Sequence, residues 1–107
     1  MRPPLPDKAR HFFFICDFQH LIERIFLVRD AARGVDRTFV WFTEEVGELA
    51  KEVRRAPRDP ARLALEMADV FAWLVTLASQ MGVDLQDAAA YYARGCPKCG
   101  GTPCTCP

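Results

Sequence analysis

Apolar residues recur at intervals of three and four along most of this chain, which is the period of an α-helix. The first such stretch runs from about Lys8 to Arg33, and Gly34 follows it as a typical helix-terminating residue. Further helices are expected from about Thr38 to Arg55, from about Pro60 to Met81 and from about Leu85 to Ala93. The first seven residues hold three prolines and are expected to form an irregular arm.

Local signals at the helix ends support this division. Asp59 is placed as an N-cap before Pro60, and proline is favoured at the first helical position. Gly82 is expected to end the third helix and Asp84 to cap the fourth. No segment of the sequence shows the alternation of a strand. The pattern therefore predicts an all-α fold, a four-helix bundle.

The apolar positions also predict which faces are buried. The third helix is apolar over well more than half its circumference, so we expect it to be central and mostly buried. We expect the second helix to turn one apolar stripe toward the core, formed by Phe39, Phe42, Val46, Leu49, Ala50 and Val53.

The remaining stripes of these two helices carry two pairs of acids. Glu45 and Glu48 belong to the second helix, and Glu66 and Asp69 belong to the third. Each pair is spaced i, i+3, which places both side chains on one helical face, where like charges repel. Four carboxylates converging from two packed helices would suit a hard divalent cation such as Mg²⁺ or Mn²⁺, which prefers oxygen ligands.

Simpler interpretations of these acids remain open. The acids of the second helix could form a solvated face, with Lys51 and Arg55 as ion-pair partners. The acids of the third helix could form buried salt bridges with Arg24 or Arg29 of the first helix.

Composition narrows the class of protein. A chain of 107 residues is long enough for one domain with a core. Its formal net charge of zero gives no indication of a nucleic-acid partner or a membrane surface. No apolar stretch is long enough to cross a bilayer and no signal peptide is recognisable, so we expect a cytoplasmic protein.

The acidic motifs resemble a known family. Glu44-Glu45-x-x-Glu48, followed after 17 residues by Glu66-x-x-Asp69, is similar to the signature of the MazG-like all-α nucleoside triphosphate pyrophosphohydrolases. The resemblance extends over about residues 39–90. It implies hydrolysis of a nucleoside triphosphate to the monophosphate and pyrophosphate, with Mg²⁺ bound by the acids.

The resemblance also implies a role for each acid. By position, the metal ligands would be Glu45, Glu48, Glu66 and Asp69. Glu44 would be an outer or second-metal acid that orients water, so that Glu44, Glu45 and Glu48 form the catalytic set. Metal ions can neutralise the phosphate oxygens and align water for in-line attack, which is what this reaction requires.

Substrate contacts are expected from two tryptophans and one arginine. Trp41 and Trp73 share the stripes of the acids and could stack on a nucleobase, or they could be core or subunit-interface residues. The family commonly has a basic stretch after the fourth helix, but here Arg94 and Lys98 are the only candidates. Thr76 stands near a position where the family often has asparagine.

The last residues contain a second candidate metal site, with four thiols at Cys96, Cys99, Cys104 and Cys106. Four thiolates are a typical ligand set for structural Zn²⁺, although the loop between the pairs is shorter than in ordinary zinc ribbons. Disulfide or redox chemistry and disorder remain as alternatives. We therefore divide the chain into an all-α domain at residues 1–95 and a cysteine-rich, zinc-knuckle-like tail at residues 96–107.

These observations lead to one main functional hypothesis. We expect an Mg²⁺-dependent nucleotide pyrophosphohydrolase. The clearance of non-standard or surplus (deoxy)nucleoside triphosphates is one role that is compatible with the resemblance. A bundle this small with so apolar a third helix is expected to form a homodimer or homotetramer. The alternative is a catalytically silent nucleotide- or protein-binding adaptor that uses the cysteine tail for its contact.

Overall fold

A computed structural model describes residues 14–107. In chain order the helices are α1 Ile15–Arg33, α2 Val35–Arg54, α3 Pro60–Gln80 and α4 Leu85–Ala89, followed by a 3-10 helix at Ala90–Tyr92. This part of the chain contains no strand, so the predicted all-α, four-helix class is confirmed. The expected irregular arm and the expected helix start at Lys8 lie outside the described residues. None of the described helices has the combined length and apolar character needed to span a membrane.

A single glycine separates α1 from α2, and the expected start of the second helix at about Thr38 is too late. Gly34 has a φ of +81°, a left-handed conformation that glycine adopts without steric cost, and α2 begins at once with Val35. Thr38 lies inside α2 and is fully buried, and its hydroxyl donates a hydrogen bond of 2.8 Å to the Gly34 carbonyl. One positive-φ residue is therefore sufficient to redirect the chain.

The ends of α3 and α4 follow the capping signals. The Asp59 carboxylate accepts hydrogen bonds from the backbone N–H groups of Ala61 at 3.0 Å and Arg62 at 3.4 Å. Asp84 caps α4 in the same way, through Gln86 and Asp87. The expected helix to Ala93 is too long, because the chain tightens into the 3-10 helix after Ala89.

Gln19 joins α1 to the turn between α3 and α4. This buried side chain donates to the Ser79 hydroxyl at 3.1 Å and to the Val83 carbonyl at 2.8 Å, and it accepts from the Leu85 N–H at 2.9 Å. Its amide thus satisfies backbone groups that the end of α3 and the start of α4 leave open. Gln19 therefore links α1 to the α3–α4 connection through three hydrogen bonds.

The predicted core face of α2 is partly wrong. Phe39, Val46 and Val53 are 52%, 43% and 41% exposed in the single chain. The buried positions of α2 are instead the polar residues Thr38 and Glu52. Phe42, Leu49 and Ala50 of the predicted face are half-buried. The least exposed positions of α2 therefore combine apolar and polar side chains, and one edge of the predicted stripe lies at the surface.

The expectation that α3 is mostly buried is also wrong for the single chain. The helix is central, because it packs against both α1 and α2. Val75 and Ala78 are buried, but Met67, Phe71 and Leu74 are exposed. A substantial apolar surface therefore remains on the outside of the protein.

Candidate functional site

The packing of α2 on α3 brings three acids together. Glu45 of α2 and Glu66 and Asp69 of α3 each offer a carboxylate oxygen, and these oxygens lie within 4.8 Å of one another. All three residues are half-buried. In octahedral Mg²⁺ coordination with bonds of about 2.1 Å, ligand oxygens lie roughly 3.0–4.2 Å apart. The donor set and its spacing therefore fit Mg²⁺ or Mn²⁺ with small side-chain adjustments.

The other two acids expected at this site lie outside the three-acid group. Glu48 is exposed, and its Oε1 lies 3.3 Å from the Lys51 ammonium, the partner that the solvated-face interpretation named. An exposed pair of this kind contributes little free energy and does not hold Glu48 in place. Glu44 is exposed on α2. The structure thus places neither Glu44 nor Glu48 within the three-acid group.

Glu52, the next acid along α2, has a different environment. It is buried, and Arg55 donates two hydrogen bonds to its carboxylate, at 2.9 Å and 3.0 Å. The hydrogen bonds from Arg55 lower the pKa of Glu52. Because the folded-state pKa is lowered, this pair stabilises the fold above the ordinary glutamate pKa, and the effect is lost as the pH falls through the lowered value. The ion pair thus joins Glu52, in the last turn of α2, to Arg55 at the C-cap of the helix.

A cavity of about 170 Å³ opens beside the acids, between α1 and α3. Asp69 belongs to both the three-acid group and the cavity wall. The other lining residues come from α1 and α3: Phe26, Arg29, Asp30, Arg33, Ala72, Trp73 and Thr76. Two arginines therefore line a cavity whose wall also includes one acid of the three-acid group. This arrangement of positive charge beside carboxylates suits an anion that is bound to a metal ion.

Trp73 is the aromatic residue of this cavity. Its ring stacks with that of Trp41, with centroids 6.4 Å apart and planes at 19°. The Arg33 guanidinium lies over the Trp73 ring, 4.6 Å from its centroid, and also donates to Asp30 at 2.8 Å. Both tryptophans that the sequence singled out are therefore neighbours. Arg94 lies in an exposed turn after the 3-10 helix and is not a lining residue.

Arg33 and Arg29 were not recognised from the sequence as candidate phosphate contacts. They stand at i, i+4 on α1, a spacing that places them on one helical face. That spacing by itself predicts a basic patch on one face of α1. What the pattern could not show is that this face of α1 opposes Asp69.

The four cysteines of the tail form a second cluster. Their sulfur atoms all lie within 4.8 Å of one another, and all four thiols are free of disulfides. Backbone N–H groups of Thr105 and Gly101 lower the pKa of Cys99 to about 5, because they stabilise its thiolate. The neighbouring thiols, Cys104 first, raise the pKa of Cys106 to about 11. The tail is thus a compact thiol site with unequal thiols.

Comparison with known proteins agrees with the fold and with the acidic motifs. The family model of the MazG nucleotide pyrophosphohydrolase domain matches residues 33–96, which is more than half of the chain. No curated protein and no solved structure matches the chain. The matched range contains α2, α3 and α4, and so includes the three-acid group. The chain therefore belongs to the MazG nucleotide pyrophosphohydrolase family.

Proposed function

We propose that this protein is an Mg²⁺- or Mn²⁺-dependent pyrophosphohydrolase that converts a (deoxy)nucleoside triphosphate to the monophosphate and pyrophosphate. The observation that carries the proposal is the convergence of Glu45, Glu66 and Asp69 at the edge of a cavity lined by arginines. Oxygen ligands select a hard cation, and nearby guanidinium groups select a phosphorylated ligand. Membership of the MazG family supports the same assignment.

The acids divide into ligands and outer groups. Glu45, Glu66 and Asp69 would hold the cation, and their half-buried position would leave room for water and substrate oxygens. Glu48, whose exposed side chain contacts Lys51 at 3.3 Å, would be the fourth ligand, and Glu44 would orient water from the rim of the site. The bound cation would neutralise phosphate charge and lower the pKa of a coordinated water.

The cavity arginines contact the phosphates. Arg29 and Arg33 supply positive charge on the cavity wall, with Arg94 as a further candidate outside the cavity. The ion pair with Asp30 and the ring of Trp73 restrict the Arg33 side chain, so less conformational entropy is lost when it binds an anion. The three-acid group would repel a triphosphate by itself, so these positive charges matter for substrate binding.

The paired tryptophans contact the base. Trp41 and Trp73 offer aromatic surface next to the cavity. At about 170 Å³ the cavity is smaller than the roughly 300–1,000 Å³ of typical ligand pockets. It therefore takes one part of the nucleotide, and the remainder lies over the open side of the site.

A second copy of the chain covers the exposed apolar surface. The stripe of Leu21, Ile25 and Val28 on α1 is exposed, as are Met67, Phe71 and Leu74 on α3. Phe18 and Phe71 stack with ring centroids 4.9 Å apart, which places the two stripes side by side. Helical stripes at three- and four-residue spacing are suited to helix–helix association, so we propose a homodimer or homotetramer.

This proposal predicts that Ile25→Lys converts the oligomer to a monomer, because a buried ammonium would lack a partner. The control is Leu27→Lys, since Leu27 is equally apolar and exposed but lies on another side of α1. Light scattering after size-exclusion chromatography gives the mass. A monomeric parent chain, or an oligomer that both variants disturb equally, would contradict the assignment of this face.

The function itself is tested by product analysis. We expect pyrophosphate and a nucleoside monophosphate in equal amounts when the purified protein is incubated with Mg²⁺ and a panel of standard and modified triphosphates. Without a divalent cation we expect no release. The base and sugar that react fastest would show whether clearance of non-standard or surplus nucleotides is the role.

The alternative adaptor makes a different prediction. A silent binding protein would bind nucleotide, or a protein partner, without releasing pyrophosphate from any triphosphate in the panel. Calorimetry with a non-hydrolysable triphosphate analogue, run beside the product assay, separates binding from turnover. Binding without turnover would overturn the hydrolase and leave the adaptor.

A further inference from the structure

The sulfur atoms of the tail already have the spacing of a metal-thiolate tetrahedron. The distances are 3.7 Å between Cys96 and Cys106, 3.9 Å between Cys99 and Cys104, and 3.6 Å between Cys96 and Cys104. Four ligands at about 2.3 Å from a central Zn²⁺ lie about 3.8 Å from one another. The short loop between the pairs therefore does not prevent a tetrahedral arrangement.

Backbone groups around the thiols are arranged to stabilise thiolates. The N–H groups of Gly101 and Thr105 donate to the Cys99 sulfur, at 3.4 Å and 3.3 Å. The Cys106 N–H lies 3.3 Å from the Cys104 sulfur and donates to it. Donors aimed at the sulfur atoms favour the charged form, which is the form that binds metals.

Two glycines allow the chain to close around these sulfurs. A Cβ atom on Gly95 would lie 2.5 Å from the Thr102 hydroxyl and 2.9 Å from the Gly101 carbonyl oxygen. A Cβ atom on Gly101 would lie 2.7 Å from the Pro103 carbonyl oxygen. Such approaches are too close for any side chain, so the fold of the tail depends on glycine at both positions. This close packing indicates that the tail has a defined conformation around its four sulfur atoms.

We propose that the tail binds one Zn²⁺ through the four thiolates of Cys96, Cys99, Cys104 and Cys106. A tetrahedron of four sulfur ligands suits Zn²⁺, which binds such a site more tightly than Fe²⁺ does, whereas the carboxylates of the acidic group suit Mg²⁺. Binding displaces the thiol protons into solvent and leaves no open coordination position. The site is consequently structural, and it is separate from the proposed hydrolytic centre.

The metal supplies the folding free energy of the tail. Residues 96–107 are mostly exposed and contain no buried apolar side chain, so they have no core of their own. Short segments of this kind depend on metal ligation for their structure. Removal of zinc should therefore loosen residues 95–107 and leave the helices folded.

The experiment uses the full chain purified under reducing conditions. We expect about one zinc per chain by elemental analysis, released when an organomercurial reagent blocks the thiols. With cobalt in place of zinc, we expect the intense visible absorption of a tetrahedral thiolate site together with sulfur-to-metal charge transfer. Hydrogen exchange should increase in residues 95–107 after zinc release, with little change in α3.

Matched variants identify the ligands. Cys99→Ser and Cys104→Ser should each lose the zinc and the cobalt spectrum, whereas Cys16→Ser should keep both, because Cys16 lies in α1 outside the cluster. Glu66→Gln should also retain zinc, so this test is independent of the hydrolase. Zinc unaffected by either tail substitution would overturn the proposal, as would bound iron or intramolecular disulfides in protein kept anaerobic and supplied with zinc.

Discussion

Glu66→Gln and Asp69→Asn are each expected to lower pyrophosphate release at least about 100-fold, because even residues that only orient metal ligands typically contribute about 10- to 100-fold. Each substitution keeps the shape of the side chain and removes one negative charge from the three-acid group. The cation is then held by fewer carboxylates, so half-maximal activity should also require more Mg²⁺. Steady-state rates across a Mg²⁺ titration measure both effects.

Asp36→Asn is the control for these variants. Asp36 is an exposed acid in the first turn of α2 and is not a member of the three-acid group, so its replacement should leave the rate and the Mg²⁺ requirement unchanged. Circular dichroism establishes that every variant retains its helices. A Glu66→Gln enzyme with a rate within about twofold of the parent would contradict the metal-ligand role, since a lost ligand costs far more.

Arg33→Met should lower kcat/KM for the triphosphate about 10- to 100-fold, because a hydrogen bond to a charged group contributes about 1.5–3 kcal/mol. Methionine keeps much of the apolar stem over Trp73 and loses the charge. Arg29→Met should act in the same direction, and Arg33→Lys should recover part of the loss. Arg37→Met serves as the control, since Arg37 is exposed on α2 and does not line the cavity.

Inhibition by product analogues shows which part of the nucleotide Arg33 contacts. We expect the loss of affinity in Arg33→Met to grow from the monophosphate to the diphosphate to a non-hydrolysable triphosphate of one nucleoside. A phosphate contact depends on charge, so its loss must follow the number of phosphates. An equal loss for all three would show that Arg33 acts through Trp73 on the base, and would refute the phosphate contact.

Much of the local structure could be predicted because the signals were local. Gly34 ends α1, and the side chains of Asp59 and Asp84 accept hydrogen bonds at the first turns of α3 and α4. The start of α2 was wrong because the positive φ at Gly34 permits a one-residue break, where the pattern predicted a longer turn. The length of α4 was wrong because an alanine-rich pattern does not distinguish an α-helix from a closing 3-10 turn.

Only part of the candidate site could be predicted from the sequence. The i, i+3 spacing placed Glu66 and Asp69 on one face of α3, and helical periodicity placed Glu45 on the polar side of α2. Periodicity also assigned Phe39 to the core, and there it was wrong. A period identifies which residues share a face. It does not identify the neighbour that the face meets, because that depends on how all the helices pack.

By itself, the sequence determined the helical class, the helix ends with strong caps, the doubled acidic motif and the four-thiol tail, since each depends on residues close together in the chain. Tertiary structure alone decided that Glu45 joins Glu66 and Asp69 while Glu48 lies outside, and that Arg33 of α1 lies over Trp73 of α3. These outcomes depend on the rotation of each helix about its own axis. That rotation is set by the sum of many weak packing contacts, and no short stretch of sequence contains it.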